Sequence, residues 1–250
     1  MRRLLLALVL LVAAVPAMGE RLVSTLSSSR VLITSSFDGA EISLFGNIEP
    51  DATEGTAEGP YNVIAIITGP LQDRVTRLKT NRLGIWTNTE DVVFRNFPSF
   101  YAVIASGRLD NIAAEEVLAS FAVRPEDQAR LAAESQSLKG ERFGTELVRL
   151  MTEDGHFVVR EDGVRFLSDT AYAVNLTLPS DVANGPFIVH TLVLKNRQLI
   201  VDRSEGFSVR KSGVENFVFN ASRQQPLLYG LVCVLLALGT GWLAGVVFKR

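Results

Sequence analysis

Residues 227–248, LLYGLVCVLLALGTGWLAGVVF, carry no charged side chain, and this stretch constrains the chain more than any other. As a helix its 22 residues rise about 33 Å, enough to cross the hydrocarbon core of a bilayer. Pro226 suits the first turn of such a helix, where its missing N–H costs nothing. Lys249 and Arg250 follow at once, and positive charge favours the cytoplasmic side. Tyr229 and Trp242 lie toward the two ends, as amphipathic rings often do. A helix apolar on every face also suits the core of a large soluble protein, but the other end of the chain argues against that.

The N-terminus reads MRRLLLALVLLVAAVPAMGE. Arg2 and Arg3 precede an apolar run from Leu4 to Val15, with small residues at Ala17 and Gly19. This predicts a secretory signal peptide over 1–19, cleaved after Ala17 or Gly19. The run is short for an anchor helix needing roughly 20 residues. The two ends agree on one topology. The chain is expected in a bacterial inner membrane as a single-pass protein, its N-terminal ectodomain in the periplasm, the helix over 226–248, and 249–250 as a cytoplasmic tail.

Without Arg2, Arg3, Lys249 and Arg250 the chain keeps 21 basic residues against 27 acidic ones. A mildly acidic ectodomain argues against nucleic acid as a partner. The single cysteine, Cys233, falls inside the apolar stretch. The exported part therefore has no disulfide, thiol nucleophile or thiolate metal site, and needs an ordinary core.

Residues 20–109 read as strands: Val31–Thr34, Glu41–Ile48, YNVIAIITGP, RVTRLKTNRLGIWTN and DVVFRNFPSFYAVIASG. In Glu41–Ile48, Ile42, Leu44 and Ile48 share one face, and Glu41, Ser43, Phe45 and Asn47 the other. Val75, Arg77 and Lys79 alternate with Thr76, Leu78 and Thr80 before Ile85 and Trp86. DATEGTAEGP, residues 51–60, is a loop. Phe37-Asp38-Gly39 predicts a turn, and Gly46 a bulge or close backbone approach. The whole stretch 35–50 reads as an edge-forming corner, with a docking edge as its one functional possibility.

Residues 110–152 predict a helical insert. Asp110 and Asn111 are candidate caps for a helix through Phe121. Pro125 with Glu126 and Asp127 marks a second start, and Thr145 a third. Residues 153–225 return to strands, with a long hairpin turning at Lys195-Asn196-Arg197. The fold class is mainly β: two immunoglobulin-like or Greek-key β-sandwich regions, a helical insert, and the C-terminal membrane helix.

His156 and His190 lie at no metal-ligand spacing, and no catalytic elbow, phosphate loop or dinucleotide fingerprint is present. Acid pairs such as Glu115-Glu116, Glu153-Asp154 and Glu161-Asp162 diverge in turns or on a helix. No catalytic residue, cofactor or metal is assigned, and the expectation is not an enzyme. Two features remain. Arg74, Arg77, Lys79 and Arg82 with Trp86 form a candidate surface for an anion or an acidic partner, against the plainer role of guarding an edge strand. Ala237, Gly241 and Gly245, four apart in the membrane helix, form a candidate packing face.

The full chain resembles an uncharacterised family of alphaproteobacterial transmembrane proteins of the Alph_Pro_TM type. The resemblance rests on the signal peptide, ITSSFDGAEISLFG at 33–46, GIWTN at 84–88, LTLPSDVANGPFIV at 176–189 and PLLYGLVCVLLALGTGWLAGVVFKR at 226–250. The combination carries it, and no single motif does. It implies an exported single-pass protein, with members often encoded beside permeases of the sulfite-exporter type, and it carries over no catalytic residue. The expected function is that of a membrane-anchored periplasmic binding or accessory protein. It would act with an inner-membrane transporter or permease, an envelope complex, or a second copy of itself. The alternatives are a periplasmic small-anion sensor and an enzyme with a site between the β-regions and the helical insert.

Overall fold

The structure is a computed structural model, describing residues 20–33, 39–49, 60–135, 137–211, 218 and 221–247. The signal peptide with its cleavage site, the turn residues Phe37 and Asp38, most of the 51–60 connector, and Phe248 with the Lys249-Arg250 tail lie outside the described residues.

Alternating apolar residues build the first sheet. β1 (Arg21–Leu26) and β3 (Ala40–Glu49) pair antiparallel, and β10 (Ala171–Leu178) and β9 (Val164–Phe166) extend the sheet in the order β1-β3-β10-β9. Ile42, Leu44 and Ile48 are buried while Glu41, Phe45 and Asn47 are exposed, as their alternation predicts. β3 is not an edge. It is hydrogen-bonded to β1 on one side and β10 on the other, so the docking-edge expectation is corrected. Gly46 is a close approach, with the Tyr172 ring lying where its Cβ would stand.

The second sheet has the order β2-β12-β11-β4-β7-β8. Its strands are β2 (Arg30–Ile33), β4 (Asn62–Thr68), β7 (Tyr101–Ala105), β8 (Phe157–Arg160), β11 (Gly185–Lys195) and β12 (Gln198–Lys211). β12 turns from β11 through Asn196 and Arg197, both at positive φ, as predicted. The two β-regions of the sequence share these sheets. β3 of the first pairs with β10 of the second, and β4 of the first pairs with β11 of the second.

β4 is covered on both faces, which is why its sequence is a continuous apolar run rather than an alternation. Val63, Ala65 and Ile67 enter the core between the sheets with Leu44, Leu176, Leu178, Val189 and Phe207. Ile64 and Ile66 point the other way, into a second core with Tyr101, Val103, Leu192 and Leu194. That second core is roofed by the helical insert: α1 (Leu109–Ile112), α2 (Glu115–Ser120), α3 (Pro125–Ala132) and α4 (Leu138–Glu153).

Pro125 opens α3, with Glu126 and Asp127 in its first turn, as predicted. Two local readings are corrected. Asp110 lies inside α1, and Arg108, with no side-chain cap bond, precedes it. Thr145 caps nothing: it sits inside α4, its hydroxyl donating to the Glu141 carbonyl at 3.1 Å. The α4 cap is Ser137, whose Oγ accepts from the Gly140 N–H at 3.2 Å. Phe143, Leu147 and Met151 recur every four residues along α4 and are buried, the stripe that seats it.

At the end of the second sheet the β4–β7 pair does not stop. The Gly69 N–H donates to Phe100 O at 2.8 Å and the Ser99 N–H to Pro70 O at 3.0 Å. The pair thus runs on into a two-stranded ribbon, β5 (Leu71–Arg82) with β6 (Ile85–Pro98). The alternation over 75–80 predicts one strand running on into Ile85 and Trp86. The chain instead reverses at Leu83 and Gly84, both at positive φ. After β12, α5 (Pro226–Val247) forms the C-terminal helix, long and apolar enough to cross a membrane.

Candidate functional site: a groove between the ribbon and the helical insert

The root of the ribbon is locked in place. The Asp73 carboxylate accepts from Arg95 Nη1 at 2.8 Å and from the Asn96 N–H at 3.1 Å. The backbone N–H of Asn96, then Arg95, hold the Asp73 carboxyl below its usual value. The isolated bridge Phe94–Ala133 and the Glu134 N–H donating to Val93 O at 3.0 Å stitch β6 to the end of α3. Phe94 and Phe97, in the β6 strand of the ribbon, are fully buried, and Phe97 stacks on Phe157 at 5.3 Å.

Alternation along β5 sends Arg74, Thr76 and Leu78 to one face, opposite Phe94, Val92 and Glu90 of β6. Facing α4 across a gap, β5 closes a groove of about 770 Å³. Its apolar lining is Val75, Leu78, Phe143, Leu147, Leu150 and Met151, and its charged lining is Arg74, Arg77, Arg142, Glu146 and Asp154. Arg142 lies over the Phe143 ring at 5.4 Å and 3.7 Å from Glu90, which Lys139 also approaches at 3.6 Å. Glu146 is held by Arg149 at 2.8 Å. The Arg74 Nε is buried with no hydrogen-bond partner among the described residues. An apolar floor with three arginines in its lining suits an amphipathic or acidic-ended guest.

The basic cluster read from the sequence is therefore divided. Arg74 and Arg77 line the groove, while Lys79, Arg82 and Trp86 stand further along the ribbon. By alternation and register, Arg77, Lys79 and Trp86 share one face, Arg74 and Arg82 the other. Sequence reasoning missed the α4 half of the groove. The i, i+4 repeat of Phe143, Leu147 and Met151 was its available signal, but it names no facing element.

Neither histidine reaches the groove. His190 Nε2 is 2.9 Å from Asp202 Oδ2, with Phe121 edge-on at 5.2 Å. His156 Nε2 is 3.5 Å from Asp181 Oδ1. Among the described residues no group of three or more His, Cys, Asp or Glu is placed to hold a metal ion. Ala237, Gly241 and Gly245 follow one another up one face of α5, and nothing among the described residues stands within 4 Å of a Cβ at either glycine.

No curated protein matches the chain. The family model described as "Putative transmembrane protein (Alph_Pro_TM)" matches residues 21–250, from β1 to the last residue. With a C-terminal helix of membrane-crossing length following a mainly β body, the chain belongs to that transmembrane protein family.

Proposed function

We propose that the protein is a membrane-anchored periplasmic accessory that binds through the groove between β5 and α4, acting with an inner-membrane transporter or envelope complex. The groove is the observation that carries this reading. Its volume and apolar floor match a peptide loop or an elongated ligand, and Arg74, Arg77 and Arg142 at its margin favour an acidic group on the guest. α5 keeps the groove at the bilayer, where the outward loops of a membrane protein are within reach.

The test is photocrosslinking in cells from probes at Leu78 and Leu150, with co-purification in mild detergent. Both probes are expected to capture one inner-membrane protein, which Leu78→Glu with Leu150→Glu then releases. Undiminished co-purification by the double variant overturns the reading.

A small-anion sensor is the second reading, favoured by the unpartnered Arg74 Nε. Titration calorimetry of the full-length protein with sulfite, sulfate and taurine separates the two, since only this reading expects heat that Arg74→Met abolishes.

A further inference from the structure

Leu83 is fully exposed at the far end of the ribbon, with Ile85 66% and Trp86 67% exposed beside it. Three large apolar side chains within four residues, none buried against the protein, need a reason. The turn itself does not supply one. Leu83 has φ 52° and Gly84 φ 82°, the paired left-handed geometry of a tight hairpin turn, for which Asn-Gly or Asp-Gly is favoured. A leucine there is disfavoured relative to a residue at ease in that region, because its Cβ crowds the following carbonyl. Asn81 instead braces the turn from outside, its Oδ1 accepting from the Gly84 N–H at 2.9 Å. The sequence thus holds an apolar side chain on the tip against local preference, which marks a functional constraint.

Charge identifies the surface it meets. Residues 79–89 include Lys79 and Arg82 and no acidic residue. Among the described residues neither takes part in an ion pair, and neither does Arg77. Leucine, isoleucine and tryptophan bordered by lysine and arginine is the composition of an interfacial anchor, the rings and aliphatic chains below the headgroups and the cations among the phosphates.

Topology supplies the bilayer. β12 runs parallel to β4, each being antiparallel to β11. Gly185, which pairs with Val209 near the end of β12, also abuts Pro70 at the root of the ribbon. The ribbon and the connection to α5 therefore leave the second sheet from the same end. From Leu71 to Leu83 the ribbon spans about 40 Å, and residues 212–225, helical over 221–224, reach at most roughly 40 Å. The two lengths are matched closely enough for tip and helix to meet one membrane.

We propose that the tip of the β5–β6 ribbon, Leu83, Ile85 and Trp86 with Lys79 and Arg82, inserts into the headgroup region of an anionic bilayer as a second contact beside α5. This goes beyond the groove and does not depend on what the groove binds.

The test uses the full-length protein with Trp242→Phe, which leaves Trp86 as the only tryptophan. It is reconstituted in phosphatidylcholine–phosphatidylglycerol vesicles. Trp86 emission should shift to shorter wavelength, and brominated acyl chains should quench it roughly twofold. Leu83→Asp with Ile85→Asp should abolish the quenching while far-UV circular dichroism is unchanged. Lys79→Glu with Arg82→Glu should weaken it only where phosphatidylglycerol is present. Emission that stays at the wavelength of a water-exposed indole, open to acrylamide and blind to brominated lipid, overturns the proposal and leaves the tip for a protein partner. Quenching that survives the double aspartate variant overturns it equally.

Discussion

Tyr172 lies across Gly46 of the neighbouring strand, its ring carbons and hydroxyl occupying the place a β-carbon at 46 would take. A fully buried ring thus sits in the gap of a missing side chain. Gly46→Val should therefore destabilise the sandwich by about 1–3 kcal/mol, through overpacking. Strand propensity alone expects the opposite sign, since valine is favoured and glycine disfavoured in strands. Denaturant unfolding of the full-length protein in detergent separates the two.

Tyr101 and Tyr172 should give the protein an alkaline limb. Burial pushes both phenols well above their ordinary pKa of 10.0. A group raised in the folded state contributes stability that is complete below its unfolded pKa and lost as pH rises toward the folded one. Below about pH 10 the contribution is intact. Above it the unfolded chain ionises first, and stability falls by roughly 1.4 kcal/mol per pH unit for each tyrosine. Tyr101→Phe with Tyr172→Phe should flatten that limb in unfolding measurements between pH 9 and 12. Tyr101→Phe should also cost about 1–2 kcal/mol at neutral pH, because its hydroxyl donates to Ala122 O at 2.8 Å.

Gly144 lets α4 lie close to its neighbours. A Cβ there would stand 3.2 Å from that of Ala129 and 3.6 Å from Phe94 Cε1. Gly144→Leu should lift α4 from α3 and β6 and cost about 1–3 kcal/mol. Hydrogen exchange should speed up in α3 and α4 and stay unchanged in β3 and β10, which belong to the other core.

The small residues of α5 make a separable prediction. If Ala237, Gly241 and Gly245 are a packing face, Gly241→Leu with Gly245→Leu should abolish self-association measured by energy transfer in vesicles. Gly239→Leu, on the opposite side of the helix, should leave it intact. Equal transfer in all three proteins removes the face.

What the sequence disclosed was local. Pro125 with two acids marked a helix start, Asn196-Arg197 a hairpin, and the uncharged run 227–248 the terminal helix, because each signal is read within one or two turns of chain. Leu83-Gly84 escaped since leucine is a poor residue for positive φ, so the ribbon looked like one strand. Ser137 escaped because the apolar stripe of α4 becomes recognisable only at Phe143, six residues later. Arg74 and Arg77 were read on one element, but the groove they line needs Leu147 and Met151, some seventy positions away. No periodicity encodes that pairing. The shared sheets were illegible for the same reason: nothing near Ala40 names Leu178 as its partner.

That last pairing governs when the molecule can come into being. Ala40 waits for Leu178, and Arg30 waits for Ser208. At ordinary rates of synthesis the interval is on the order of ten seconds. During it the apolar face of Ile42, Leu44 and Ile48 can meet only the part of the second sheet already made, Val63, Ala65 and Ile67 of β4 with Ala102 and Ile104 of β7, and lacks Val189 and Phe207. Such non-local closure is slow in itself and exposes strand edges to other chains. The yield of folded protein should therefore depend on how long those edges stay open as well as on the stability of the finished fold.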